Sequence, residues 1–107
     1  MTIADALVTE QMENGLVELL KDRDPRARAG ALNMIAFVGR SMRDQTPTIM
    51  KRLREDPKPE IRLIAARTLA LVADDSILPQ LQNLRKKLSD DDMKQTLKEA
   101  IDVLRDH

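Results

Sequence analysis

The sequence predicts an all-α fold, a short right-handed α-solenoid of three helical hairpins with about six helices. Two observations carry this prediction. The chain matches itself when it is shifted by 34 residues, and apolar residues recur at helical spacing between signals that start and stop helices. The matched pairs are Leu16–Met50, Leu19–Leu53, Asp22–Asp56, Pro25–Pro59, Arg28–Arg62, Ala31–Ala65, Ile35–Leu69 and Val38–Val72. Helical units that repeat at this period bury their apolar faces against their neighbours, which is typical of a solenoid.

The first hairpin is predicted at about residues 2–39. Thr2, followed three residues later by an aspartate, resembles a capping box and opens the first helix. The Asn-Gly pair at 14–15 is expected to break or kink this helix, because both residues are poor helix formers. An Asp-Pro pair at 24–25 supplies an N-cap and a proline at the first helical position. The second helix is predicted to stop at Gly39.

The second hairpin is predicted at about residues 46–73. A Thr-Pro pair at 46–47 repeats the start by a cap and a proline, and the third helix is expected to end at Asp56. Pro59 starts the fourth helix, which is predicted to run to about Ala73.

The third hairpin, at about residues 76–105, departs from the 34-residue register. A tight connection at 74–76 leads to a fifth helix with Pro79 in its first turn, and residues 89–92 cap the sixth helix. Polar residues cover the outer face of the sixth helix, namely Lys94, Gln95, Lys98, Glu99, Asp102 and Arg105. An atypical last repeat with a polar outer face suits an end cap. We therefore expect one domain spanning residues 1–107.

The composition excludes several kinds of site. Cysteine is absent, histidine occurs once as His107, and Phe37 is the single aromatic residue. Disulfides, thiolate nucleophiles and zinc–thiolate centres are therefore excluded. The three aspartates at 90–92 are interpreted as helix caps, and no catalytic residue, metal site or cofactor is predicted. No apolar run approaches the ~20 residues that cross a bilayer, so we expect a soluble protein. The lack of cysteine agrees with a cytoplasmic location, and the lack of catalytic motifs predicts that the protein is not an enzyme.

A net charge of zero conceals a gradient along the chain. Residues 1–22 carry one base and five acids, for a charge of −4, and residues 23–73 carry eleven bases and five acids, for a charge of +6. Residues 74–107 carry six bases and eight acids, for a charge of −2. A basic middle segment can attract an acidic partner, although surface charges are also common where they only solvate helices.

Two stretches of the chain share a motif that identifies a family. They are Asp24–Arg28 with Ala31, Ile35 and Gly39, and Pro59–Arg62 with Ala65, Leu69 and Ala73. Over about residues 15–104 this pattern resembles HEAT-like repeats. The period also suits tetratricopeptide repeats, but their paired aromatic signature is missing. The resemblance implies a protein-binding scaffold, since the family is used chiefly in that way, with side branches among phycobilin lyases and DNA glycosylases.

Arg28 and Arg62 follow the helix-starting prolines by three residues, on a flank expected to face the neighbouring repeat. A partly buried guanidinium needs several acceptors. In HEAT-like repeats an arginine at this place is usually part of a structural ladder, and the resemblance extends that role to both residues. The acceptors expected from the sequence are Asp22, Asp24 and Asp56.

The second helix of each hairpin is expected to line a concave surface. Placing Ala31 and Ile35 inward at 100° per residue turns other side chains toward a partner. The residues expected to bind a partner are Arg26, Asn33, Arg40, Leu63 and Arg67. Leu71 and Ile64 are expected to belong mostly to the core.

The leading hypothesis from the sequence is a non-catalytic scaffold or adaptor that binds a protein partner on the concave second-helix face. The basic segment would favour an acidic partner. Two alternatives stay open. One is nucleic-acid binding through the basic segment 23–73, which the lack of aromatic residues weakens. The other is a phycobilin-lyase-like subunit. Homo-oligomerisation is compatible with all three hypotheses.

Overall fold

The computed structural model describes residues 2–106, and of residues 5–8 only the backbone. This part of the chain forms six α-helices and two 3₁₀ segments, so the predicted all-α fold is confirmed. The helices are α1 (Ile3–Leu19), α2 (Pro25–Val38), α3 (Thr46–Glu55), α4 (Pro59–Val72), α5 (Leu78–Lys87) and α6 (Asp91–Arg105). The 3₁₀ segments are Gly39–Gln45 and Asp75–Ile77.

The helices pack as three consecutive hairpins. The second helix of each hairpin lies in one layer, where α4 contacts α2 on one side and α6 on the other. The first helices cover this layer, because α1 packs on α2, α3 on α4 and α5 on α6. The central helix α4 therefore contacts three other helices, and the fold is organised around it.

Proline and aspartate signals start the second helices as predicted. The carboxylate of Asp24 accepts the backbone N–H of Arg26 at 2.9 Å, and Pro25 occupies the first helical position. At the other end Gly39 adopts a φ of +84°, which a side chain would disfavour, and its N–H donates to the carbonyl of Ile35. The predicted stop of α2 at Gly39 is confirmed.

Two expectations about helix ends are wrong. The Asn-Gly pair at 14–15 does not break α1, which runs without interruption from Ile3 to Leu19. A glycine inside a helix costs only about 1 kcal/mol relative to alanine, which packing can offset. Thr46 is not a cap either, because the segment Gly39–Gln45 leads directly into α3 and Thr46 already has helical backbone angles. Its hydroxyl donates instead to the carbonyl of Arg43 at 2.6 Å.

The core is aliphatic and runs through all three hairpins. It consists of leucine, isoleucine, valine, methionine and alanine side chains, the largest fully buried ones being Leu20, Leu32, Ile35, Met42, Ile49, Leu53, Leu69, Leu81, Leu97, Leu104 and Val72. Thr68 is also buried, and its hydroxyl bridges α4 to α2 by reaching the carbonyls of Ile64 at 2.8 Å and Leu32 at 3.2 Å. Tight packing of small aliphatic residues thus replaces the aromatic groups that many cores contain.

Candidate functional site

A buried ion pair joins the first two hairpins near the N-terminal ends of α2 and α4. Arg28 in α2 and Asp56 after α3 expose only 5% and 1% of their surface. The Nε and Nη2 groups of Arg28 donate to the two carboxylate oxygens of Asp56 at 2.8 and 3.1 Å. Its Nη1 group donates to the carbonyls of Asp22 at 2.8 Å and Arg23 at 3.1 Å. One guanidinium therefore fixes the connection after α1 and the end of α3 against α2.

The carboxylate of Asp56 stays ionised although it is buried. Burial by itself raises the pKa of Asp56. Hydrogen bonds from Arg28 and the Lys58 N–H, with the charges of Arg28 and Arg52, lower this pKa by more than burial raises it. The resulting pKa lies below the usual value for aspartate. Arg52 contributes through an Nη1–Oδ2 distance of 3.4 Å.

The lowered pKa of Asp56 predicts a loss of stability in acid. A carboxylate whose folded-state pKa is depressed stabilises the fold fully above about pH 5, and this contribution disappears as the pH falls through the unfolded and then the folded pKa. We expect the Asp56→Asn variant to be less stable than the wild type at pH 7, and the difference to shrink as the pH falls below about 5. Urea unfolding at several pH values measures this. A difference independent of pH would show that the ionised carboxylate contributes nothing.

The other residues expected in the ladder make different contacts. Arg62 donates from Nη1 to the carbonyl of Asp56 at 2.6 Å, which repeats the bond from Arg28 to the carbonyl of Asp22 one hairpin earlier. Asp22 uses its carboxylate to accept the N–H of Asp24 at 2.8 Å. The carboxylate of Asp24 binds no ladder arginine, because it caps α2 and pairs with Arg26 at 3.1 Å. Asp90 stands 34 residues after Asp56 and likewise accepts the N–H two residues later, but no ion pair joins it to Arg62 among the described residues.

The structure separates the five residues expected to bind a partner. Asn33 in α2 and Arg67 in α4 are exposed on the second helices. Arg26 is exposed but pairs with Asp24 of its own helix cap. Leu63 is half-buried and packs against the core, so it presents little surface. Arg40 lies in the segment Gly39–Gln45, beyond the end of α2. The spacing of 100° per residue that predicted its direction therefore does not apply to it.

A row of exposed apolar residues crosses the layer of second helices. Phe37 in α2 is 87% exposed, Leu71 in α4 is 55% exposed and Val103 in α6 is 41% exposed. Phe37 and Leu71 are 34 residues apart and Leu71 and Val103 are 32 apart, so the three occupy equivalent positions of successive repeats. The expectation that Leu71 belongs to the core is therefore wrong. Exposure falls along the row from Phe37 in α2 to Val103 in α6, and α4 contacts both of these helices.

A polar residue accompanies each apolar one, one helical turn earlier. The three pairs are Asn33 with Phe37, Arg67 with Leu71, and Glu99 with Val103. Residues four apart on a helix lie on the same side, and all six are exposed. We call the surface formed by these six residues the second-helix face. Beside Phe37, the residues Gly30, Asn33 and Met34 line a shallow depression of about 300 Å³.

The 34-residue repeat of the sequence also relates two residues of this row, although helical periodicity does not predict their exposure. Phe37 and Leu71 lie one residue before the matched pair Val38 and Val72, and they share the same 34-residue shift. Helical periodicity places them on the flank of the core face, where burial depends on whether a neighbouring helix is present. Only the packing of α2, α4 and α6 shows that these positions remain exposed.

The repeating helical hairpins correspond to a known family of repeats. A model of HEAT repeats matches residues 12–106. The chain belongs to the HEAT-repeat family. The resemblance predicted from residues 15–104 is thereby confirmed. No curated protein and no solved structure matches the chain.

Membership of the HEAT-repeat family bears on function at a general level. HEAT repeats commonly act as scaffolds for protein interactions, and the family is typically non-enzymatic. None of the helices within residues 2–106 has both the length and the apolar character that crossing a membrane requires. In the same residues, no three His, Cys, Asp or Glu side chains group in a way that could hold a metal ion.

Six of the eleven cations of the basic segment 23–73 contact a partner within the protein. The pairs are Arg26 with Asp24, Arg28 and Arg52 with Asp56, Arg43 with Asp74, and Arg54 with Gln80. Arg62 also spends a donor on a backbone carbonyl. Arg23, Arg40, Lys51, Lys58 and Arg67 make no such side-chain contact among the described residues.

Proposed function

We propose that this HEAT-repeat chain is a non-catalytic scaffold or adaptor that binds a protein partner on its second-helix face. The observation that carries the proposal is the row of Phe37, Leu71 and Val103, exposed at equivalent positions of three repeats. Large exposed apolar groups that are aligned rather than scattered are typical of interaction surfaces. Aromatic residues are enriched in such interfaces, and Phe37 is the single aromatic residue of the chain.

The geometry of the row favours an elongated apolar ligand, such as one face of an amphipathic helix. Helices in contact lie 8–10 Å apart, so the three apolar side chains span about 20 Å across the layer, or about four helical turns of a partner. The accompanying Asn33, Arg67 and Glu99 supply a neutral, a positive and a negative group in this order. These groups would set the orientation of the partner, because charges at an interface contribute specificity more than affinity.

The proposal predicts that charges placed in the row abolish partner binding without unfolding the protein. The test variant is Arg67→Glu with Leu71→Glu, both exposed positions of α4. The matched control is Leu19→Glu with Arg23→Glu, which makes the same chemical changes at exposed positions outside the face. Thermal melts followed by circular dichroism establish that both variants fold. Burying two glutamates in an interface is expected to lower affinity at least about 100-fold, since each unpaired buried charge is costly.

The measurement compares the wild type and both variants as bait for proteins of the native source, identified by mass spectrometry. A protein retained by the wild type and the control but lost by the test variant supports the second-helix face. A photo-crosslinking amino acid at position 37 must then capture the same protein, and one at position 51 on α3 must not. Retention of every protein by all three baits, or a crosslink from position 51 alone, would refute the proposal.

A further inference from the structure

Cations of the last hairpin lie together along one groove. The net charge of this part of the sequence does not reveal the groove. Arg85 and Lys86 of α5 and Lys94, Lys98 and Arg105 of α6 line an open groove of about 520 Å³. Five of the six cations of residues 74–107 therefore line this groove, although the segment carries a net charge of −2. Only one of its eight acids, Asp102, lines the same groove. We call these five cations and the surface between them the basic groove.

The cations on α6 form a line along the helix. At 100° per residue, Lys94, Lys98 and Arg105 lie within about 40° of one another around the axis, and they span about 16 Å along it. Ile101 lies on the same side and supplies an apolar floor. Val103 of the second-helix face is about 140° away from Lys98 by the same geometry. The basic groove is thus separate from the second-helix face.

Few of these cations are neutralised by the protein itself. Lys98 lies 3.4 Å from Asp102, but both side chains are half-exposed and such pairs are weak. Arg85 donates from Nε to the carbonyl of Lys94 at 3.3 Å, which ties α5 to the first turn of α6 and holds the two sides of the groove together. Lys86, Lys94 and Arg105 have no ion pair within residues 2–106. Several like charges facing one groove concentrate a positive potential that attracts anions.

We propose that the basic groove binds an acidic segment of a partner polypeptide, with carboxylates on the five cations. Gln82 lines the groove with an amide that can both donate to and accept from a peptide backbone. Ile101 and the aliphatic stems of the lysines provide contact for the apolar parts of such a segment. The groove is open along its length, so an extended chain can lie in it.

The groove lacks the features that phosphate and nucleic-acid sites use. Tight phosphate sites recruit backbone N–H groups at the start of a helix, but the carboxylate of Asp90 occupies the N–H groups of Asp92 and Met93 at 2.9 and 3.4 Å. No aromatic side chain is available to stack on a base, because the single aromatic residue, Phe37, belongs to α2. The observations therefore favour carboxylates over phosphates.

The test titrates the protein into a fluorescein-labelled decapeptide of alternating glutamate and alanine and records anisotropy at low salt. A peptide with glutamine in place of glutamate is the control ligand. The groove variant is Lys94→Glu with Lys98→Glu, and the matched control is Lys51→Glu with Lys87→Glu, which changes the charge equally at exposed positions that do not line the groove. We expect the wild type and the control variant to bind the acidic peptide alike, and the groove variant to bind it at least about tenfold more weakly.

Two further measurements decide the site and the ligand class. Addition of the unlabelled acidic peptide to ¹⁵N-labelled wild-type protein is expected to shift the backbone amide signals of α5 and α6, including Ile101, more than those of α2 and α4. Equal loss of binding in both variants, no binding by the wild type, or stronger competition by a single-stranded DNA oligonucleotide of equal charge would each overturn the proposal. Salt-dependent association of the wild type with itself at the same concentrations would also overturn it, because the acidic α1 of a second copy would then be the occupant. None of these readouts depends on Phe37 or Leu71, so this inference and the proposed function can fail separately.

Discussion

The Arg28→Ala variant is expected to lose about 3–5 kcal/mol of unfolding free energy, the cost of breaking a buried ion pair by removing one partner. The guanidinium makes two bonds to Asp56 and two to backbone carbonyls, and its acceptors lie in the turns inside the first two hairpins, between α1 and α2 and between α3 and α4. Without it, the carboxylate of Asp56 remains buried and keeps only the guanidinium of Arg52 and the N–H of Lys58 among its described partners. For a domain of this size the midpoint of thermal unfolding is expected to fall by more than about 10 °C.

The control for this prediction is Arg26→Ala, two residues earlier in the same helix. Its guanidinium pairs with Asp24, but its side chain is 91% exposed, so its removal should change the unfolding free energy far less than the removal of Arg28. Urea unfolding of both variants at pH 7 provides the comparison. Equal destabilisation of the two variants would mean that the buried pair contributes no more than an exposed one.

A double variant distinguishes the value of the pair from the cost of leaving one partner unpaired. In Arg28→Met with Asp56→Leu, both charges are replaced by apolar groups, and the desolvation penalty disappears. We expect this double variant to be more stable than either single one, although the carbonyls of Asp22 and Arg23 lose a donor. Additive destabilisation would indicate that Arg28 acts mainly through those carbonyls.

The Leu69→Ala variant is expected to lose about 2–5 kcal/mol, the usual cost of truncating a fully buried leucine. Leu69 is 0% exposed in α4, the helix that contacts α2, α3 and α6, so the cavity would lie at the centre of the solenoid. The spread of the expected cost reflects how far such a site can collapse.

Leu71, two residues further along α4, is a control of identical chemistry. Because it is 55% exposed, Leu71→Ala should cost less than about 1 kcal/mol. Thermal and urea unfolding of both variants are the measurements. Similar losses would contradict the exposure of Leu71 and, with it, the surface proposed for partner binding.

Much of the fold could be predicted from local features of the sequence. Asp24 with Pro25, Pro59 and Gly39 act through backbone geometry that extends over only one turn, so the ends of α2 and the start of α4 were predicted correctly. Thr46 looked like the same signal but was misinterpreted, since the preceding 3₁₀ segment removed the need for a cap. A cap is recognised by its side chain, whereas its use depends on the conformation of the residues before it.

The candidate sites were less predictable, because each depends on pairs of distant residues. The distance from Arg28 to Asp56 spans 28 positions, and the sequence offered Asp22 and Asp24 as equally plausible acceptors. Leu63 and Leu71 lie about 80° apart around α4 by helical geometry. Periodicity ranked Leu63 as more exposed, whereas Leu63 packs against the core and Leu71 is open. The sites therefore required the arrangement of the helices.

The sequence by itself determined that this protein is an all-α stack of three hairpins, because the period of its apolar residues and its helix caps act over short distances. Only the tertiary structure decided which charges and apolar groups meet. It buried Arg28 with Asp56, aligned Phe37 with Leu71, and collected five cations beside Ile101 in a segment of negative net charge. The physical reason is that burial and electrostatic potential depend on neighbours in space, which a pattern along one helix does not specify.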